Sequence, residues 1–356
     1  MDDMRLRQLA EELEAECGRI IIGKGEQIRL IMTGLLSGGH VLIDDIPGVG
    51  KTTLVKTLSA VLGCRMVRVQ FTPDLLPSDI TGMSVYRQKT GEMEFVPGPV
   101  MTNILLADEI NRAIPRTQSA LLEAMEERQV TVDGVTHRLE LPFIVLATQN
   151  PVETETTFPL PAAQLDRFLF KISMGYPSRT EEAEMLRAVG DGARFDQLRP
   201  ILSAEELVRL TEDVCRVQVS DAVVRYIVEL VAATRDQADL ECGASPRVSR
   251  DLYRSARAYA ALSGRDYVTP DDVKYLSRYI LPHRILLSGR AALSGRKAED
   301  VVAELLERIP CRETGEELIH ETARRDLAAG LLRIPAAYVD ALYRGPADLR
   351  RRLQPV

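Results

Sequence analysis

The run Val41-Leu42-Ile43-Asp44-Asp45-Ile46-Pro47-Gly48-Val49-Gly50-Lys51-Thr52-Thr53-Leu54 holds residue types suited to gripping phosphate. An apolar stretch ends at Asp44, a glycine-bearing loop follows, and Lys51-Thr52-Thr53 opens a helical stretch. Main-chain N–H groups in such a loop converge as an anion nest at a helix amino terminus. Gly48 and Gly50 let the backbone bend around a phosphate without a Cβ clash. Lys51 would reach the β- and γ-phosphates, and the Thr52 hydroxyl would complete the shell of a Mg2+ ion. Pro47, Gly48, Val49, Gly50, Lys51, Thr52 and Thr53 are thus the expected cradle for ATP. The strict pattern has glycine where this chain carries Asp45.

A second constellation follows in Asn103-Ile104-Leu105-Leu106-Ala107-Asp108-Glu109-Ile110-Asn111-Arg112. Phosphoanhydride hydrolysis needs one carboxylate for the metal shell and another to orient and polarise the attacking water. Neighbouring residues at a strand end point in different directions, which gives Asp108 to the metal and Glu109 to the water. An Asp-Glu pair after an apolar run can also merely cap a turn; the upstream phosphate loop favours the chemical reading. Asn150 closes the run Pro142-Phe143-Ile144-Val145-Leu146-Ala147-Thr148-Gln149. Its neutral amide could bond both the water and a γ-phosphate oxygen, or it could equally form a turn before Pro151. Two arginines complete the set. Arg167 ends a short helical stretch before an apolar run, and Arg247 falls in a helical first turn. There a cation opposes the helix dipole by roughly 0.3–1 kcal/mol, a penalty that a bound phosphate would reverse. Each could instead form a surface salt bridge.

The elements that must position these groups follow from texture. The apolar runs His40–Asp45, Arg65–Phe71, Asn103–Glu109, Pro142–Asn150 and Phe168–Ser173 alternate with helical stretches. They predict buried strands of a mainly parallel sheet in a three-layer α/β/α domain spanning residues 1–177. Thr90-Gly91 and Asp133-Gly134 lie between alternating apolar residues and predict two hairpin inserts. Leu6, Leu9 and Leu13 predict an opening helix, and a second is expected over residues 24–36. After Pro177 the strand signals stop. Ser178 with Glu181 and Ser203 with Glu206 match capping boxes, and Ser245-Pro246 and Thr269-Pro270 place a cap residue before a helix-opening proline. An all-helical lid domain is expected over 178–288, with a helical extension of unknown role over 289–356.

Composition narrows the class. Hydrophobic residues make up 45% and charged residues 27% of the 356, as in globular proteins. The net charge of −7 and the absence of Trp argue against nucleic acid as a partner. The five scattered cysteines form no C-x-x-C pair, which argues against a zinc site and fits a reducing cytoplasm. No stretch reaches the roughly 20 apolar residues a spanning helix needs, so membrane insertion is not expected.

Taken together, these residues resemble the MoxR family of AAA+ ATPases. The resemblance rests on the phosphate loop and on QFTPDLLPSDITG, LLADEINRAIPRTQSALLEAMEERQVTVDG, ATQNP, FPLPAAQLDRF and GASPR, and it spans residues 5–311. It implies that Glu109 is catalytic, Asn150 is sensor 1, Arg167 is an arginine finger acting in trans and Arg247 is sensor 2. It also implies that Ile22 and Gly23 contact adenine near the interdomain hinge. A hexameric ring, a chaperone-like role and partners carrying a von Willebrand factor A domain are likewise implied, not read from spacing. The alternatives are the motor subunit of a magnesium-chelatase-like complex and a nucleic-acid motor. A porphyrin-handling partner would mark the first and salt-dependent affinity for single-stranded DNA the second.

Overall fold

The computed structural model describes residues 3–44, 48–89, 91–150, 157–190 and 197–311. The chain opens with α1 (Asp3–Gly18), α2 (Gly25–Leu36), β1 (Val41–Asp44), α3 (Lys51–Val61), β2 (Met66–Gln70) and α4 (Pro77–Thr81). A first hairpin of β3 (Gly82–Arg87) and β4 (Glu92–Pro97) precedes β5 (Ile104–Asp108) and α5 (Pro115–Glu127). A second hairpin, β6 (Gln129–Val132) and β7 (Val135–Arg138), leads to β8 (Ile144–Gln149), α6 (Ala162–Leu165) and β9 (Phe170–Ile172). Then come α7 (Arg179–Gly190), α8 (Ala204–Val214), α9 (Asp221–Arg235), β10 (Leu240–Cys242) and α10 (Pro246–Leu262). The described chain ends with α11 (Pro270–Ile280), β11 (Leu286–Leu287), α12 (Gly289–Leu293) and α13 (Ala298–Arg308).

The five apolar runs form one parallel sheet in the order β2-β5-β8-β1-β9. Burial on both faces explains why they read as continuous apolar stretches. Ile104, Leu106, Ile144 and Leu146 join the core on one face, with Leu54, Val55 and Leu58 of α3. Leu105, Ala107, Val145 and Ala147 turn to the other, against Leu121, Leu122 and Met125 of α5. The two faces make the three-layer α/β/α fold. Expected burial fails at β2, an edge strand whose residues are half-buried or exposed.

Both hairpins form, and Phe95 of the first stacks on His137 of the second with ring centroids 3.8 Å apart. The caps are mixed. Ser203 and Thr269 bond the amides of Glu206 and Asp272 as capping boxes. Ser245 precedes Pro246 as expected but makes no cap bond; its hydroxyl reaches Asp166 instead, at 3.3 Å.

The helical region after residue 177 carries a correction, because β10 and β11 pair as a small antiparallel ribbon. Nor is it walled off from the sheet. One apolar cluster runs from Ile43 and Ile104 through Leu30 and Ile31 of α2 to Val248 and Leu252 of α10. Residues 312–356, most of the expected carboxyl-terminal extension, lie outside the described residues. Among the described residues no helix is long and apolar enough to cross a membrane.

His40 locks the amino-terminal end of β1. Its Nδ1 accepts from the Val145 amide at 2.9 Å, so Nε2 carries the proton donated to the Met125 carbonyl at 3.1 Å. Burial, with the Arg128 charge, pushes its pKa down to about 4 from the ordinary 6.5. The neutral ring therefore contributes stability fully above pH 6.5, and that contribution is lost as pH falls through about 4. Urea titrations of the parent and His40→Gln at several pH values should show the parent's advantage shrinking over this window, by on the order of 3 kcal/mol.

Candidate functional site

A parallel sheet gathers every strand's carboxyl end at one edge, where crevices for ligands form. The residues expected to meet nucleotide are sorted by this rule. Lys51, Thr52 and Thr53 open α3 just past the carboxyl end of β1. Gly48 and Gly50 hold φ of 88° and 87°, and a Cβ on either would meet open space. Glycine is needed there for torsion, not for room. Gly50 is also the N-cap of α3 and supplies no side-chain cap, so the helix's amino-terminal amides are not closed off by their own cap residue. Val49 lies between these glycines and packs against the core. Pro47 and Asp45 lie outside the described residues.

Two strands away, Asp108 ends β5 and Glu109 follows with φ 56° and ψ 51°, a left-handed conformation that costs a non-glycine residue energy. That twist sends the two carboxylates apart. Asp108 accepts from Thr148 Oγ1 at 2.5 Å and from Arg68 Nη2 at 2.7 Å. Glu109 accepts from Gln70 Nε2 at 2.6 Å and lies 3.4 Å from Arg112 Nη1. Thr148 joins the pair, because its Oγ1 also accepts from the Glu109 amide at 2.8 Å. Buried Asn150 follows β8, between the phosphate loop and the acidic pair, and its carbonyl accepts from Asn111 Nδ2 at 3.4 Å.

Ile22 and Gly23 reach the same edge at the end of β9. The next residue, Lys24, donates to the Met174 carbonyl at 2.6 Å, and Gln27 donates to that of Ser173 at 3.1 Å. Gly23 (φ 73°) is exposed, but an added Cβ would meet Glu181 at the start of α7, whose Oε1 would lie 1.8 Å away.

The arginines lie elsewhere. Arg167 precedes β9, and the Leu169 amide bonds the His40 carbonyl at 2.8 Å, which places this segment at the sheet's amino-terminal end. Arg247 meets it there. Arg167 Nη2 lies 3.2 Å from Glu126 Oε2, and Arg247 Nη2 pairs with the other oxygen of the same carboxylate. Arg128, Arg250 and Arg254 join them around a cavity of about 280 Å3. The structure therefore brings the two arginines to each other, and separates them from their own chain's phosphate loop by the length of β1.

Sequence reasoning missed Arg68, Gln70 and Thr148. The first two stand two residues apart on β2, a spacing that puts both side chains on one face and was a usable signal. Glu126 carried none, since it lies 121 residues from Arg247.

Residues 40–170 match the ATPase family associated with various cellular activities, AAA, and residues 232–305 match the AAA lid domain. The chain is 45% identical to Chaperone MoxR1 of Mycobacterium tuberculosis over 303 residues, 83% of this chain and 80% of that one. It belongs to the MoxR family of AAA ATPases. The uncharacterized protein YeaC of Bacillus subtilis is 51% identical over 288 residues, covering 81% and 90% of the two chains. An ATPase candidate from Cytophaga hutchinsonii, solved by crystallography, superposes with a TM-score of 0.82 at 38% identity, covering 88% and 97%.

The residues of this MoxR-type chain fit a magnesium nucleotide. Among the described residues no group of three or more His, Cys, Asp or Glu could hold a metal alone. Mg2+ usually takes one or two carboxylates and otherwise keeps waters and phosphate oxygens, which suits Asp108 with the Thr52 hydroxyl. Asp108 Oδ1 keeps a lone pair beyond its bond from Thr148, whereas Oδ2 accepts from both Nε and Nη2 of Arg68, at 3.1 and 2.7 Å.

Thr148→Val tests the bridge between the carboxylates. It removes a buried acceptor from the Glu109 amide and a donor from Asp108, at about 1–3 kcal/mol of stability. Phosphate-release assays should show turnover down by roughly 10-fold, with nucleotide affinity changed less.

Proposed function

We propose that the chain binds ATP with Mg2+ and hydrolyses it as one subunit of a homo-oligomeric, hexameric ring that remodels or activates partner proteins. The observation that carries this reading is the division of the site. The phosphate loop, Asp108, Glu109 and Asn150 lie at the carboxyl edge of the sheet, and Arg167 with Arg247 at the amino edge. The four residues of β1, at about 3.3 Å each, put roughly 10 Å of strand between them. A head-to-tail neighbour brings the two halves together, and repeated head-to-tail contacts that close produce a ring.

The roles follow from chemistry. Amides from Gly48 to Thr53 hold the triphosphate, Lys51 neutralises its terminal oxygens, and Ile22 and Gly23 meet the base. Bound Mg2+ would offset charge on the β- and γ-phosphate oxygens, with Asp108 and Thr52 holding it. Glu109 orients and polarises the attacking water, and Asn150 bonds that water without competing for the metal. Arg167 and Arg247 of the adjacent subunit stabilise charge developing on the γ-phosphate. The chaperone name of MoxR1 supports partner remodelling, and we infer from the family resemblance alone that the partners carry a von Willebrand factor A domain. Free cysteines support a reducing, cytoplasmic site of action.

Lys51→Ala should lose measurable ATP affinity in fluorescence titrations, and Glu109→Gln should keep affinity but lose turnover. Arg167→Ala should lose at least about 100-fold in turnover. It should regain part of it when mixed with Glu109→Gln chains, which carry intact arginines but cannot hydrolyse. If Arg167 acts within its own subunit, mixing restores nothing.

A further inference from the structure

The tight turn Pro282–Arg284 follows α11 in the lid and contains one of the most deeply buried charges in the described chain. The Arg284 side chain is 1% exposed. Its Nη2 donates to the Phe168 carbonyl at 2.7 Å, and Nε2 of His283 meets the same carbonyl at 2.9 Å. Its Nη1 donates to Asp251 Oδ2 at 2.8 Å and lies 3.6 Å from Asp166 Oδ1. Asp166 and Phe168 are the residues on either side of Arg167. Asp251 is one turn along α10 from Arg247, and Asp166 also lies 3.8 Å from Arg247 Nη1.

A single guanidinium thus grips the backbone that carries one arginine and the helix that carries the other. Stability alone is a weak account of such a group. Taking a charge out of water is costly, and apolar packing of similar volume is often as stable or more so. What a buried arginine adds is direction: a rigid planar fork of donors fixes the relative position of everything it bonds.

We propose that Arg284 is a positioning residue, assisted by His283, which sets Arg167 and Arg247 as one rigid pair and makes the lid move with that pair. The inference rests on the reading that these arginines act on a neighbouring subunit's nucleotide. Arg284 itself touches no nucleotide. Its effect falls on the next subunit's turnover and leaves its own chain's phosphate loop, at the other edge of the sheet, untouched.

The test uses full-length chains. Arg284→Lys keeps the charge and loses the fork. Asp166→Asn weakens the same network from its more exposed side and serves if the lysine variant does not fold. For a folded variant we expect the affinity for a fluorescent ATP analogue to remain near the parent's, with thermal unfolding lowered by the lost buried hydrogen bonds. Steady-state turnover should fall at least about 10-fold. Turnover should recover on mixing with Glu109→Gln chains, which lend intact arginines. Parent-like turnover by folded variants overturns the proposal. So does a loss that mixing fails to restore while Arg167→Ala is restored in parallel, because the defect then lies in the variant's own site. Failure of the Arg167→Ala mixture itself refutes the trans reading, and the proposal with it.

Discussion

The constraint on which the site depends is that all five strands of the central sheet run the same way. Parallel pairing leaves no choice about where the loops after the strands emerge. The phosphate loop after β1, the acidic pair at β5, Asn150 after β8 and the hinge after β9 must share one edge. The segments before the strands must share the other, and Arg167 is in such a segment. Hydrogen bonding within the backbone thereby decides which functional groups can meet inside one chain. Adjusting side chains cannot undo it, because no rotamer spans the length of a strand.

Within the nucleotide edge, a second layer of control comes from β2 and β8. Glu109 is held in a left-handed conformation that a non-glycine residue adopts at a cost. The Thr148 hydroxyl offsets part of that cost by accepting the Glu109 amide while donating to Asp108. Gln70 and Arg68 on β2 bond the two carboxylates. An edge strand is the fitting place for such partners, since its half-exposed face can carry polar side chains that an inner strand would have to bury unsatisfied.

Much of this was legible in the sequence, for identifiable reasons. The strands announced themselves because burial on both faces leaves continuous apolar runs, and the second hairpin because Asp133-Gly134 supplies the positive φ its turn requires. The capping boxes at Ser178 and Ser203 are local, with both partners within three residues. What stayed hidden depends on contacts distant in sequence. The β10–β11 ribbon joins strands of three and two residues, too short for any periodicity. Ser245 has the sequence of a cap, yet its hydroxyl turns to Asp166, 79 residues away. Arg284 carries no local signal, because its partners, Asp251 and the Phe168 carbonyl, lie 33 and 116 residues away. The residues proposed for the reaction lie in short-range motifs; the partners they bond lie far away in sequence.

The proposed division of the site between subunits is physically tolerable for the single chain because of the charge balance at the amino edge. Arg167 and Arg247 share one carboxylate, Glu126, and further arginines stand around the same cavity. The Arg128 pKa is lowered by burial and by the nearby charge of Arg254. Positive charge at this edge thus outweighs what the local carboxylates can balance, and partial exposure to water keeps the imbalance affordable. Binding a polyanion here would relieve like-charge repulsion that the isolated chain already bears. A cavity fully neutralised by its own acids would have to give up pairs of equal strength to admit phosphate. One short of acids gives up less, and Glu126, exposed on the last turn of α5, is the carboxylate most easily displaced.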